Sequence, residues 1–179
     1  MISIEGVKKQ IAAAFANVER PGNWAISSSR EGDEPVLLER ALADKGDWRS
    51  LDAVFVDSLP DGYGSALSFF SDEAFRHYLP AYLIAQLDDK LRLADPTFHL
   101  CYGLDDASRD TPVNARRYGA RTWFDQARAR FSVFTRDESK AIVAFLECRA
   151  EQSEFDRDVI HQALNAFWRE KAGETPSVR

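Results

Sequence analysis

Cysteine is scarce: Cys101 and Cys148 are the only two in 179 residues. That excludes a disulfide framework of the kind that holds small secreted domains together, and their separation fits no zinc spacing, so a reducing cytoplasm is the expected compartment. Histidine is limited to His77, His99 and His161. None has another His or Cys at the i, i+4 or C-x-x-C spacing that converges ligands on one ion, so no metal and no cofactor is expected. The G-x-S-x-G elbow, the G-x-x-x-x-G-K-[ST] phosphate loop and the G-x-G-x-x-G turn are also missing. Asp61-Gly62-Tyr63-Gly64-Ser65 has the glycine density of such a loop but reads as a turn.

Long apolar runs are absent as well. The uncharged stretch from His77 to Leu87 falls far short of the roughly 18 residues of a membrane span. The run from Ile11 to Ala16, behind Lys8 and Lys9, is shorter than the roughly 7 to 15 residues of a secretory signal core and has no small-residue cleavage site after it. Neither a membrane nor that export route is expected. Positive charge is in deficit, 23 Lys and Arg against 29 Asp and Glu, for a formal net charge of -6. Such a chain repels phosphate backbones at long range, which disfavours nucleic acid as a partner and leaves another protein as the expected one.

What is present is a core. Hydrophobic residues make up 45%, with 12 Phe, 4 Trp and 5 Tyr to fill an interior, enough for a single helical domain over 1–173 with a disordered tail at 174–179. Ile4, Val7, Ile11, Phe15 and Val18 line one face of a first helix, which Pro21 and Gly22 end. Pro35 suits the first turn of a second helix carrying Leu37, Leu38, Ala41 and Leu42, with Gly46 as its stop. Over 50–58, Val54, Phe55 and Val56 suit a helical turn or a short strand equally.

Ser71 is placed to cap a helix whose first turn carries Asp72 and Glu73, favourable at the positive end of the dipole. Phe75, Tyr78, Leu79, Tyr82, Leu83, Ile84, Leu87 and Leu91 spread over more than one stripe, which makes this the buried central helix. Pro80 cannot donate to the carbonyl of Arg76, so a kink or short break is expected near Leu79. The stretch 95–123 shows no lasting period and reads as a long irregular connection. Thr135-x-x-Glu138 is a capping box, and Ser153 starts a last helix with Phe155, Val159, Ile160, Ala163, Leu164, Phe167 and Trp168 on its apolar face. The fold expected is mainly α: an irregular bundle of five to six helices with a proline-interrupted central helix, a C-terminal hairpin and at most minor strand content.

The central run Ala74-Phe75-Arg76-His77-Tyr78-Leu79-Pro80-Ala81-Tyr82-Leu83 resembles the hallmark of an uncharacterised family of small bacterial proteins, a domain of unknown function. Phe134-Thr135-Arg136-Asp137-Glu138 through Phe145-Leu146-Glu147 is similar to that family's second block. His77 stands where the family more often carries an aromatic residue. The resemblance implies a fold and a bacterial origin, and no catalytic residues.

Two groups remain as candidate binding residues. Arg76, His77, Tyr78 and Tyr82 flank the expected break, where freed carbonyls can shape a pocket. Arg116, Arg117 and Arg121 open an arginine-rich segment reaching Arg136, with Tyr118, Trp123 and Phe124 interleaved, suited to gripping carboxylate or phosphate unless these arginines pair with the acidic loop upstream. The favoured function is a non-enzymatic cytoplasmic protein that binds or regulates another protein, an immunity-type partner being one example. The alternatives are a small hydrolase with an acid and His77 or His99 as base, and an anion or nucleotide binder through the arginine segment.

Overall fold

The computed structural model describes residues 3–174; the expectation for the tail falls, from 175 onward, outside them. Among the described residues there is no sheet, and two isolated bridges are the only strand-like pairings. The fold is all-α, with more and shorter helical segments than the five or six expected. No helix among the described residues is long and apolar enough to cross a membrane. Two compact units divide the chain, one of Ile11–His99 and one of Met1–Gln10 with Leu100–Arg179.

Helix α1 (Ile4–Ala14) carries only part of the face read from the sequence: Val7 and Ile11 are fully buried and Ile4 is exposed, and the helix stops before Phe15, which is buried beyond its end, and before Val18, short of the expected end at Pro21 and Gly22. In the first unit, α2 (Glu34–Ala41) takes Pro35 in its first turn and closes at Leu42, four residues before Gly46. The ambiguous stretch resolves as α3 (Ala53–Ser58). Asp52 decides it, because its carboxylate accepts the amide of Phe55 at 2.8 Å and so caps a helix that the β-branched residues alone would not start. A one-turn α4 (Ala66–Phe69) leads to α5 (Asp72–Leu87).

Helix α5 is the centre of its unit. Ser71 Oγ accepts the amide of Ala74 at 3.1 Å and itself donates to the carbonyl of Ala25 at 2.6 Å, so the cap also ties α5 to the preceding loop. Phe75, Tyr78, Leu79, Tyr82, Leu83 and Leu87 are buried, and Phe70 stacks on Tyr78 at 5.4 Å. The expected break does not occur: the helix runs without interruption from Asp72 to Leu87 with Pro80 inside it. Packing on nearly every side offsets the local cost of the missing donor.

The second unit begins where the sequence reads as irregular, and α6 (Pro96–Cys101) reaches into it. That helix starts for the same local reason as α3: Asp95 Oδ1 accepts the amide of Phe98 at 3.0 Å. Beyond it, buried Asp105 organises the turn by accepting the amides of Ala107 and Ser108, both at 3.0 Å, and the Ser108 hydroxyl. Gly103 has φ +85, and a Cβ there would sit 2.6 Å from the Trp123 carbonyl, so the chain passes α8 at a distance only glycine allows.

A short α7 (Ala115–Tyr118) precedes α8 (Trp123–Phe131) and α9 (Arg136–Gln152), and capping boxes start the last two, Thr122 with Asp125 and Thr135 with Glu138. The final helix comprises α10 (Arg157–Ala163), a π-turn (Leu164–Trp168) and α11 (Arg169–Ala172). It runs antiparallel to α9, as expected of the hairpin: Arg157 Nε donates to the Ala150 carbonyl and Arg136 Nε to that of Ala172, each at 3.1 Å. Its start differs from the sequence expectation. Ser153 and Asp156 hydrogen-bond to each other in a turn, so the helix begins at Arg157 and Phe155 is 96% exposed instead of facing the core. Trp168 is the anchor, fully buried, 4.7 Å from the Phe131 ring and donating to the Leu100 carbonyl at 2.9 Å.

Candidate functional site

The structure places the α5 candidates inside the first unit. Tyr78 and Tyr82 are fully buried and His77 is 3% exposed, while Arg76 is half-buried. Arg20, not singled out by the sequence, ties this region together. Its Nε donates to the Tyr78 hydroxyl at 2.8 Å and to the Lys45 carbonyl at 3.1 Å, and its Nη2 donates to the Leu42 carbonyl at 2.7 Å and Asn23 Oδ1 at 2.6 Å. Tyr78 Oη donates in turn to the Lys45 carbonyl at 2.8 Å. The guanidinium fork thus fastens the end of α2 and the following turn to α5. Burial pushes the Tyr78 hydroxyl up in pKa, and the hydrogen bond and charge of Arg20 oppose that rise without cancelling it.

His77 Nδ1 lies 2.9 Å from the Val18 carbonyl. A carbonyl can only accept, so in the neutral ring Nδ1 carries the proton, and Nε2 faces the interior with no hydrogen-bond partner. Burial holds its pKa below the ordinary 6.5; the Val18 carbonyl opposes this, the Arg20 charge reinforces it, and Asp47 opposes it. A histidine kept neutral by folding takes up its proton more readily when unfolded. Its stabilising contribution is complete above about pH 6.5 and declines as pH falls from there toward the depressed folded value. The Tm is therefore expected to drop on acidification from pH 7.5 to 5.5, and His77→Phe to flatten that dependence. Equal slopes for the two proteins by differential scanning calorimetry would contradict the assignment.

The other face of α5 borders a groove, with Ala81 and Ala85 buried and Ile84 half-buried. Ala81, Ile84 and Ala85 line a groove of about 920 Å³ together with Leu51, Val54 and Phe55, and Arg49, Asp52, Asp88 and Lys90 stand at its edges. Val54 is 80% exposed there. The Tyr82 hydroxyl lies elsewhere, buried without a partner and raised in pKa by burial and by the negative charge of Asp57.

Among the histidines proposed as bases, His99 lies on α6 two positions from Cys101, and Cys101 is buried. On a helix that spacing turns the two side chains about 200° apart, so they do not face one another as a pair. Among the described residues no group of three or more His, Cys, Asp or Glu side chains is arranged to hold a metal ion.

The arginine segment divides in two. From Arg128 onward its members are engaged: Arg128 lies over the Phe124 ring at 5.6 Å, and Arg136 donates to the carbonyls of Ala172 and Gly173, both at 3.1 Å. Upstream, the acidic loop is answered by Arg109, 3.9 Å from Asp106 and 3.8 Å from Asp110. Arg116, Arg117 and Arg121 form no ion pair among the described residues. They sit on a projection closed at its base by the Pro112 and Thr122 bridge, with the Val113 amide on the Arg121 carbonyl at 2.8 Å and the Trp123 amide on that of Thr111 at 3.0 Å. Tyr118 is 46% exposed at its tip, with the Arg117 guanidinium 5.6 Å from its ring.

The described residues thus show an all-α fold, a polar knot under α5, an apolar groove beside α5 and an edge that carries Arg116, Arg117 and Arg121. The chain belongs to the family of unknown function DUF6714, whose model matches residues 4–172. No curated protein and no solved structure matches it.

Proposed function

We propose that this chain is a non-enzymatic binding protein that acts on another protein by surface contact, through the edge formed by Arg116, Arg117, Tyr118 and Arg121. One observation carries the reading: Arg116, Arg117 and Arg121, on a closed projection, form no ion pair among the described residues, in a chain whose acids outnumber its bases. Arginines outside any ion pair among the described residues, one of them over an exposed tyrosine ring, have the composition of interface hot spots, where planar forks grip carboxylates and the ring excludes water. The fitting partner is a protein with a small acidic patch. A long polyanion such as RNA is disfavoured by the net charge of -6, which acts over the whole molecule and not only at the contact. The α5 candidates serve the same reading from within, since they hold the interior of the first unit.

Replacing Arg116, Arg117 and Arg121 together with glutamate is expected to weaken partner binding by more than about a hundredfold, because each guanidinium becomes a repulsive charge. The check is quantitative capture from the native host, with and without nuclease, beside a far-UV circular dichroism spectrum of the variant. Unchanged recovery of partners by a folded variant rejects the edge. Recovery abolished by nuclease in the wild type would instead assign the edge to nucleic acid.

A further inference from the structure

A second polar site lies in the C-terminal hairpin, well separated in sequence from the arginine edge. Between α9 and the α10–α11 helix a cavity of about 470 Å³ is lined by Glu147, Ala150, Glu151, Arg157, His161 and Arg169. Five of these six residues are ionisable, with the two acids on α9 and the three nitrogen-bearing side chains opposite. On an ordinary hairpin surface such groups pair off across the gap. Here one pair forms: Arg169 Nη2 donates to Glu147 Oε1 at 3.1 Å. Arg157 spends its Nε on the Ala150 carbonyl at 3.1 Å, which leaves its terminal nitrogens available. Glu151 and His161 are exposed and form no ion pair among the described residues.

The π-turn explains how the wall is assembled. Arg169 is eight positions after His161, and at about 100° per residue an unbroken α-helix would set the two about 80° apart around the axis. A π-turn takes up one extra residue, which returns Arg169 to within about 20° of His161. Leu164–Trp168 is that turn. Trp168 stays locked in the core through its bond to the Leu100 carbonyl at 2.9 Å, so the core register is kept while the polar side chains are brought to one wall. Such insertions concentrate at functional sites.

We infer that this cavity binds a small zwitterion of the amino-acid class. A lone anion would suit Arg157 and the imidazole N–H of His161 but would meet the unpaired carboxylate of Glu151. A lone amine would suit Glu151 but would meet Arg157. A molecule carrying a carboxylate and an ammonium group satisfies both walls, with the Arg169 and Glu147 pair closing one end, and the cavity volume falls within the range of small-molecule sites.

The His161 ring resonance reports on the site directly. With the intact chain at fixed pH, the common L-amino acids are titrated one at a time to about 10 mM, enough to saturate a site of millimolar affinity. Acetate and methylamine serve as the two half-ligands. At least one amino acid is expected to give a saturable shift, with both half-ligands at least about tenfold weaker, and with Arg157→Met and Glu151→Gln each weakening it by about tenfold. Both changes are at exposed positions, and each variant's fold is checked by its amide spectrum. No saturation by any amino acid, acetate binding as tightly as the amino acid, or an unchanged response in Arg157→Met would each overturn the inference. Arg116, Arg117 and Arg121 take no part, so the two sites are tested separately.

Discussion

Arg20→Met is expected to destabilise the protein by about 3 kcal/mol, read as a lower urea midpoint at an unchanged m-value. The methionine keeps much of the aliphatic stem and removes every donor. The carbonyls of Leu42 and Lys45 and the buried Tyr78 hydroxyl then lose the bonds of 2.7 to 3.1 Å that Arg20 supplies. The Lys45 carbonyl keeps the Tyr78 hydroxyl and the Leu42 carbonyl keeps the Lys45 amide, so the cost is the loss of the charged donor's bonds at acceptors shielded from water and of the turn they fasten. Arg20→Lys separates charge from geometry: a lysine restores the positive charge but cannot serve three acceptors along one planar fork, so it should recover less than half of the loss. Full recovery by lysine would show that charge, and not the fork, holds the turn.

Asp57→Ala is expected to cost a similar amount, about 3 kcal/mol, by undoing the turn after α5. The Asp57 carboxylate accepts the amides of Arg92, Leu93 and Ala94, each at 2.9 Å. Burial pushes the carboxyl up, and the amide bonds with the Arg92 charge outweigh it, so the group lies below the usual carboxylate range. A depressed carboxylate stabilises the fold fully above the unfolded value of about 3.9 and loses that contribution as pH falls through its folded value. Acid unfolding of the wild type should therefore steepen below pH 4 in a way Asp57→Ala does not share. Asp57→Asn retains one acceptor oxygen, and with Oδ1 serving Leu93 and Ala94 it should fall between the two. An Asn variant as unstable as the alanine would assign the effect to charge alone.

Legibility in the sequence followed the range of the interaction. Ser71, and Thr135 with Glu138, act on amides three residues away, so their caps could be read directly and stand as read. Asp52 has the same reach, but Val54, Phe55 and Val56 gave a competing strand signal beside it, and the single hydrogen bond to Phe55 decides between them. Pro80 was read by its local cost alone, whereas burial around α5 governs the outcome. The Arg20 knot had no signal to find: its partners lie in three separate stretches, and one arginine after a helix resembles any other until the chain folds back. The arginine edge was legible as composition. Which of its members lack partners was not, because pairing depends on where Asp106 and Asp110 turn, and they turn to Arg109. Phe155 fitted the apolar period of the last helix, but a turn between Ser153 and Asp156 set the helix start beyond it.

The buried tryptophans have a use of their own. Trp48, 4% exposed, belongs to the Ile11–His99 unit, and Trp168, fully buried, belongs to the other. Each compact unit thus contains an intrinsic fluorophore shielded from water, while Trp24 at 79% exposed emits as a solvated indole. A protein retaining only Trp48 and another retaining only Trp168 would report the two units one at a time. Coincident red shifts on heating would mean that the halves come apart as one cooperative body, and staggered shifts would rank them in order of melting.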